Sequence, residues 1–247
     1  MAPMRLHILG VPVDAVDLEE AAATVEGFCD RGGPHLVLTP NPEMVMRAQR
    51  HGALREALAR ADLNLADGVG VVWAARLLGL PLRRRVTGAD LVVRLLSQGA
   101  GRRRFYFLGA RPGVAEEAAR RARARHPGLE VCGTHHGYFS PHEEPRVVEG
   151  IRRASPHILV VGMGSPRQEE FLLRHLEELR VPVAVAVGGT LDVLAGSARR
   201  APALLRRLGL EWLWRLAGDP RRWRRGLALP RFAGAVLREA WARRRGG

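Results

Sequence analysis

Leu65-Ala66-Asp67-Gly68-Val69-Gly70 carries an apolar strand through an aspartate and a glycine straight into an apolar helix, whose pattern runs on to residue 78. Open α/β sheets bind ligands outside the carboxyl ends of their strands, so this junction makes Asp67 the leading catalytic candidate. The same grammar recurs on both sides. Apolar or β-branched runs over 35–39, 63–66, 104–108, 129–133, 157–161 and 182–187 read as strands, mostly followed by a turn and a helical pattern. The run over 182–187 is almost wholly apolar and suits a strand buried on both faces. A ribbon over 5–13 leads into a helix over 17–29, Asn41 and Pro42 mark a helix start, and another helix covers 167–179. This alternation predicts an α/β fold, a Rossmann-like and largely parallel sheet flanked by helices.

With 247 residues, 47% of them hydrophobic, the chain is long enough for one sizeable core plus an appendage. The boundary is set at Gly196: residues 1–196 form the α/β domain and 197–247 a helical, basic C-terminal appendage. Leu204, Leu205, Leu208, Trp212 and Leu216 recur there at helical spacing, Asp219-Pro220 restarts a helix, and Pro230 begins another. In that last helix Phe232, Val236, Leu237, Ala240 and Trp241 form an apolar stripe beside arginines. No apolar stretch of a secretory signal opens the chain, and no apolar run approaches the roughly 18 residues of a spanning helix, so a cytoplasmic location is expected. Cys29 and Cys132 lack the spacing of a zinc site and receive no role.

The formal charge is +14, and the sequence contains no lysine. That disfavours Schiff-base and pyridoxal-phosphate enzymes and a standard P-loop, whose chemistry needs a lysine amine. From residue 199 onward, fourteen arginines face only Glu211, Asp219 and Glu239, so the tail holds a net +11 and the body only +3. Two readings suit such a tail. Arginine interleaved with tryptophan binds nucleic acid through phosphates and stacked bases. Amphipathic helices bearing Trp212, Trp214, Trp223 and Trp241 among arginines equally suit an anionic membrane surface, where each nearby cation contributes about 1 kcal/mol. Plain packing of the apolar stripe on the core is the third possibility.

The turns at Gly68, Gly109, Gly162 with Gly164, and Gly188 with Gly189 all let backbone amides approach a phosphate. None completes the three-glycine dinucleotide fingerprint, which disfavours a nicotinamide dehydrogenase. Thr39-Pro40-Asn41-Pro42-Glu43 stands at a helix entrance, with Asn41 as its natural cap. Arg83-Arg84-Arg85 supplies fixed positive charge before the helix start at Thr87-Gly88-Ala89-Asp90. Gln168 and Glu169 fall in a first helical turn, where Glu169 complements the helix dipole. His135-His136 lacks further ligands at metal spacing, and no Asp-x-Asp motif is present, so no metal or other cofactor is expected.

Taken in order, Thr39-Pro40-Asn41-Pro42-Glu43-Met44, Ala66-Asp67-Gly68-Val69-Gly70, Arg85-Val86-Thr87-Gly88-Ala89-Asp90, Phe107-Leu108-Gly109-Ala110, Gly162-Met163-Gly164-Ser165-Pro166-Arg167-Gln168-Glu169, Gly188-Gly189-Thr190-Leu191-Asp192 and Leu210-Glu211-Trp212-Leu213 resemble the WecG/TagA/CpsF glycosyltransferase family. The resemblance implies an inverting transferase that moves a sugar, typically N-acetylmannosamine, from a UDP-sugar onto an undecaprenyl-diphosphate-linked N-acetylglucosamine, in synthesis of teichoic-acid linkage units or other surface polysaccharides. By the same resemblance Asp67 is the general base, with Thr39 and Arg85 completing the catalytic set. Asn41, Gly68, Tyr138, Gly164, Gln168, Gly188, Gly189 and Asp192 line the substrate pocket, and Arg215, Arg221 and Arg224 act on the diphosphate or close the site. It also implies peripheral association with the inner face of the cytoplasmic membrane, not nucleic acid, as the tail's partner. Homo-oligomerisation is left open. Leu191 stands where several members have phenylalanine, and the tail carries arginine in place of their lysines.

Overall fold

Side chains that alternate across the strands decide how the layers stack. The computed structural model describes residues 3–198, 201–202 and 228–245. Among these residues six strands form one parallel sheet in the order β4-β3-β8-β7-β5-β6. They are β3 (His35–Leu38), β4 (Leu63–Asn64), β5 (Arg104–Gly109), β6 (Glu130–His135), β7 (Ile158–Gly162) and β8 (Val183–Ala186). In β7, Ile158 and Val160 join one buried cluster while Leu159 and Val161 join the other. A period of two therefore feeds both faces of the sheet, as expected of strands with no solvent side.

One face is covered by α1 (Leu18–Arg31), α5 (Gly88–Gly99), α6 (Val114–Arg125) and α9 (Thr190–Leu194). The other carries α2 (Pro42–Ala48), α3 (Gly52–Arg60), α4 (Val69–Leu77), α7 (Glu144–Ala154), α8 (Arg167–Leu179) and the C-terminal α10 (Ala228–Arg245). Local chemistry sets several starts. Asp17 and Glu20 make a reciprocal capping box on α1, Asn41 caps α2 through Met44 N, and Thr87 caps α5 through Asp90 N. The helix expected from Pro230 is present as α10, and its described part already includes Ala228.

The opening ribbon is an antiparallel hairpin of β1 (Arg5–Ile8) and β2 (Val11–Asp14), separate from the main sheet. It covers the β4 edge. Buried Asp14 accepts from Arg5 Nε at 2.8 Å and from Asn64 N at 2.7 Å, and Leu65 bridges to Asp14. The strand anticipated over 63–66 has two residues in regular pairing, and Leu65 continues it by donating to Leu38 O at 2.8 Å. Phe232, Val236 and Ala240 of α10 enter the same buried cluster as α2 and α4, and Glu239 Oε2 accepts from Leu9 N in the hairpin turn at 3.1 Å. Burying each of the two larger side chains contributes about 1.5–3 kcal/mol. Among the described residues, no helix is long and apolar enough to cross a membrane.

Candidate active site

Four chain segments meet at the carboxyl ends of β3, β4 and β8, and main-chain bonds hold three of them in register. Asp67 N donates to Pro40 O at 2.9 Å, and Val86 N donates to Ala66 O at 3.0 Å. The first bond sets the Asp67 turn against the entrance to α2. The second lays Arg85-Val86 beside it. Gly68 has φ +111°, a conformation that a side chain would strain, and a Cβ on Gly70 would stand 2.7 Å from Pro42 Cγ. Glycine is thus required where the carboxylate loop passes the Pro40-Asn41-Pro42 corner.

Thr39 closes the arrangement from below. Its buried hydroxyl donates to Ala186 O at 3.1 Å, tying the end of β3 to that of β8, while Gly88 at the start of α5 packs on Val187. After β3 the chain goes to the face bearing α2, and after β8 to the face bearing α9. Divergent exits of this kind open a crevice outside the strand ends, where α/β proteins take their ligands. Asp67 is half-buried at its margin, neither sealed in hydrocarbon nor on open surface.

The neighbouring strand ends are packed closely as well. A Cβ on Gly162 would meet Gly188 O at 2.7 Å, and one on Gly137 would stand 3.1 Å from Gly109 Cα. Gln168, buried at the start of α8, accepts through Oε1 from Gly164 N at 3.2 Å and from Gly188 N at 3.1 Å. Its Nε2 donates to Glu169 Oε1 at 2.7 Å. Arg47 reaches across from α2 and donates to Ser165 O at 2.7 Å while pairing with Glu43.

The structure therefore gathers Thr39, Asn41, Asp67, Gly68, Arg85, Gly188 and Gly189 around one set of strand ends. Gly164 and Gln168 border the same region through the Gly188 turn. Asn41 uses Oδ1 on the α2 cap. Tyr138 lies farther along the sheet, exposed just beyond β6, and its main-chain N donates to His136 Nδ1. Asp192 lies within α9, where Ser197 Oγ donates to its main-chain oxygen at 3.0 Å and approaches Oδ1 at 3.4 Å. Arg215, Arg221 and Arg224, with Trp212, Trp214 and Trp223, lie outside the described residues.

Two residues gain importance that sequence reasoning did not give them. Arg47 was hidden as an ordinary helical residue four places after Glu43, the only signal being that i,i+4 pair. Glu169, read from the sequence only as a complement to the helix dipole, is fully buried. Burial pushes its carboxyl above the usual range, against the opposing pull of Gln168, Ser165, its own backbone amide and Arg47. Neither Glu169 Oε2 nor Ser165 Oγ makes a hydrogen bond of good geometry among the described residues.

Such a site can set a half-exposed carboxylate beside a turn-lined crevice and arginine charge, the parts needed for proton abstraction near a phosphate-bearing ligand. No group of three or more histidine, cysteine, aspartate or glutamate side chains gathers as a metal site among the described residues.

Comparison with known proteins supplies the family. The model of the WecG/TagA/CpsF glycosyl transferase family matches residues 6–246. An N-acetylglucosaminyldiphosphoundecaprenol N-acetyl-beta-D-mannosaminyltransferase of Bacillus spizizenii is 35% identical over 212 residues, 85% of this chain and 82% of that protein. A Staphylococcus aureus protein of the same name is 33% identical over 231 residues, 92% of this chain and 90% of its own length. With the match spanning both the sheet and α10, the chain belongs to the WecG/TagA/CpsF family of glycosyl transferases.

Proposed function

We propose that this glycosyltransferase moves N-acetylmannosamine from a UDP-sugar to N-acetylglucosamine carried on undecaprenyl diphosphate, with inversion at the anomeric carbon. The observation that carries the reading is the meeting of the Asp67 turn, Thr39 and the Arg85 segment at the carboxyl ends of β3, β4 and β8. Asp67 accepts the proton of the acceptor hydroxyl as that oxygen attacks the anomeric carbon and UDP departs. Charge left on the departing diphosphate is met by Arg85 and the tail's Arg215, Arg221 and Arg224, together with amides of the glycine turns, and no metal is needed. Gly164 N and Gly188 N already bond to Gln168, so their turns act by shape while other amides face the ligand.

The lipid-linked acceptor requires the enzyme to work at a membrane surface. We place the basic appendage there, at the inner face of the cytoplasmic membrane, on the ground of its net +11 charge and the exposed Trp241 and Leu237 of α10. Incubating the full chain with a panel of UDP-sugars and lipid-diphosphate-linked N-acetylglucosamine tests the reading. UDP release with a product heavier by one N-acetylhexosamine is expected with UDP-N-acetylmannosamine. Release with none of the donors defeats it.

A further inference from the structure

Gln168 links two turns that the sheet itself does not hold. The last main-chain bond between β7 and β8 among the described residues is Val187 N to Val161 O at 2.9 Å. Beyond it the chains diverge, and Gln168 Oε1 supplies the next connection by accepting from both Gly164 N and Gly188 N. A carboxamide has one accepting and one donating end, and only one orientation suits these surroundings. Turned over, its NH2 would face two N–H donors and its oxygen would face a carboxyl oxygen. Glu169 Oε1, 2.7 Å from Gln168 Nε2, removes that alternative. Both side chains are buried, so the contact is shielded from bulk solvent.

We infer that Glu169 is a positioning residue: by fixing the Gln168 amide it sets the separation of the Gly164 and Gly188 turns, and through them the width of the crevice for the donor's diphosphate. The identity of that ligand rests on the glycosyl-transfer reading; the geometry does not. The turns have little latitude on the other side, because Gly188 O already lies against Gly162 and Arg47 grips Ser165 O. Asp67 is untouched by this pair, so the effect falls on ligand binding before chemistry.

The test uses the full chain with Glu169→Ala, Glu169→Gln and Gln168→Met, read by amide hydrogen exchange at Gly164 and Gly188 and by UDP titration. Exchange at both amides is expected to rise at least about tenfold in Glu169→Ala and Gln168→Met. UDP affinity should fall about tenfold in the same two variants, with a much smaller change in kcat than in KM for the donor. Glu169→Gln, which still accepts from Gln168 and fills the same volume, should restore both readouts to within about twofold. Unaltered exchange at Gly188 in Glu169→Ala, or a Glu169→Gln variant as impaired as the alanine, overturns the inference. Should Glu169→Ala fail to fold, Gln168→Met against Glu169→Gln makes the same comparison. If UDP fails to bind the unmodified chain, the transferase reading falls, while the exchange rates still decide the positioning role.

Discussion

Asp67 and Glu169 are two carboxyl groups at the same end of one sheet, yet their surroundings prepare them for different work. Asp67 sits half-buried on a turn whose main chain is fixed by hydrogen bonds and by glycine. Glu169 is sealed in, bonded to Gln168, and its proton is held more tightly than that of an ordinary glutamate because of burial. A reactive acid requires access to its substrate. A structural acid gains from exclusion of water, which strengthens its single directed bond.

The largest effect that would break this contrast lies at Asp67. Replacement by asparagine should lower turnover by about 10²–10⁴-fold, the usual contribution of a general base, while circular dichroism and the melting curve stay close to those of the parent. Near-normal turnover would remove the distinction between the two acids. Next comes Gly70→Ala, whose added methyl meets Pro42 Cγ at 2.7 Å. It should cost about 1–3 kcal/mol in urea unfolding and displace the Asp67 turn, with turnover falling more than stability alone explains. Thr39→Val removes the tie to Ala186 O and should cost about 1 kcal/mol, measured in the same way.

The smallest effect sharpens the other side of the contrast. Because the folded-state pKa of Glu169 is raised, the native chain binds that proton more tightly than the unfolded chain does. Its contribution to stability is complete below the unfolded value near 4.5 and is lost as pH climbs from there through the raised folded value. Glu169→Gln should therefore gain thermal stability relative to the parent as pH rises through that window, and paired melting curves across pH reveal it. A constant difference would mean that the carboxyl is not perturbed.

The sequence made the sheet legible because its strands are short apolar runs followed by turns, and β3, β5, β7 and β8 fall within a residue or two of their expected limits. Helix α3 was harder to see, since its cap is the imidazole of His51 accepting from Leu54 N rather than a hydroxyl or carboxylate. The strand expected over 63–66 is shorter in regular pairing, with Leu65 making a single bridge to Asp14, a contact between positions 51 residues apart that periodicity cannot register. At the site, Asp67 stood out from its place after a strand. The nearness of Arg85 depended on Val86 N reaching Ala66 O, and the separation of the Gly164 and Gly188 turns depended on the direction in which one buried amide points. Such facts are set by tertiary packing, and no local pattern encodes them.

Glu239 receives its hydrogen bond from Leu9, 230 positions earlier in the chain. During synthesis the hairpin, α2 and α4 are all made long before α10 exists to lie across them. The growing chain must therefore wait with an apolar groove uncovered beside its would-be catalytic turn until α10, made more than 150 residues after α4, comes to cover it. Premature termination between β8 and α10 would leave a whole sheet with an adhesive flank, a natural target for chaperones and quality control.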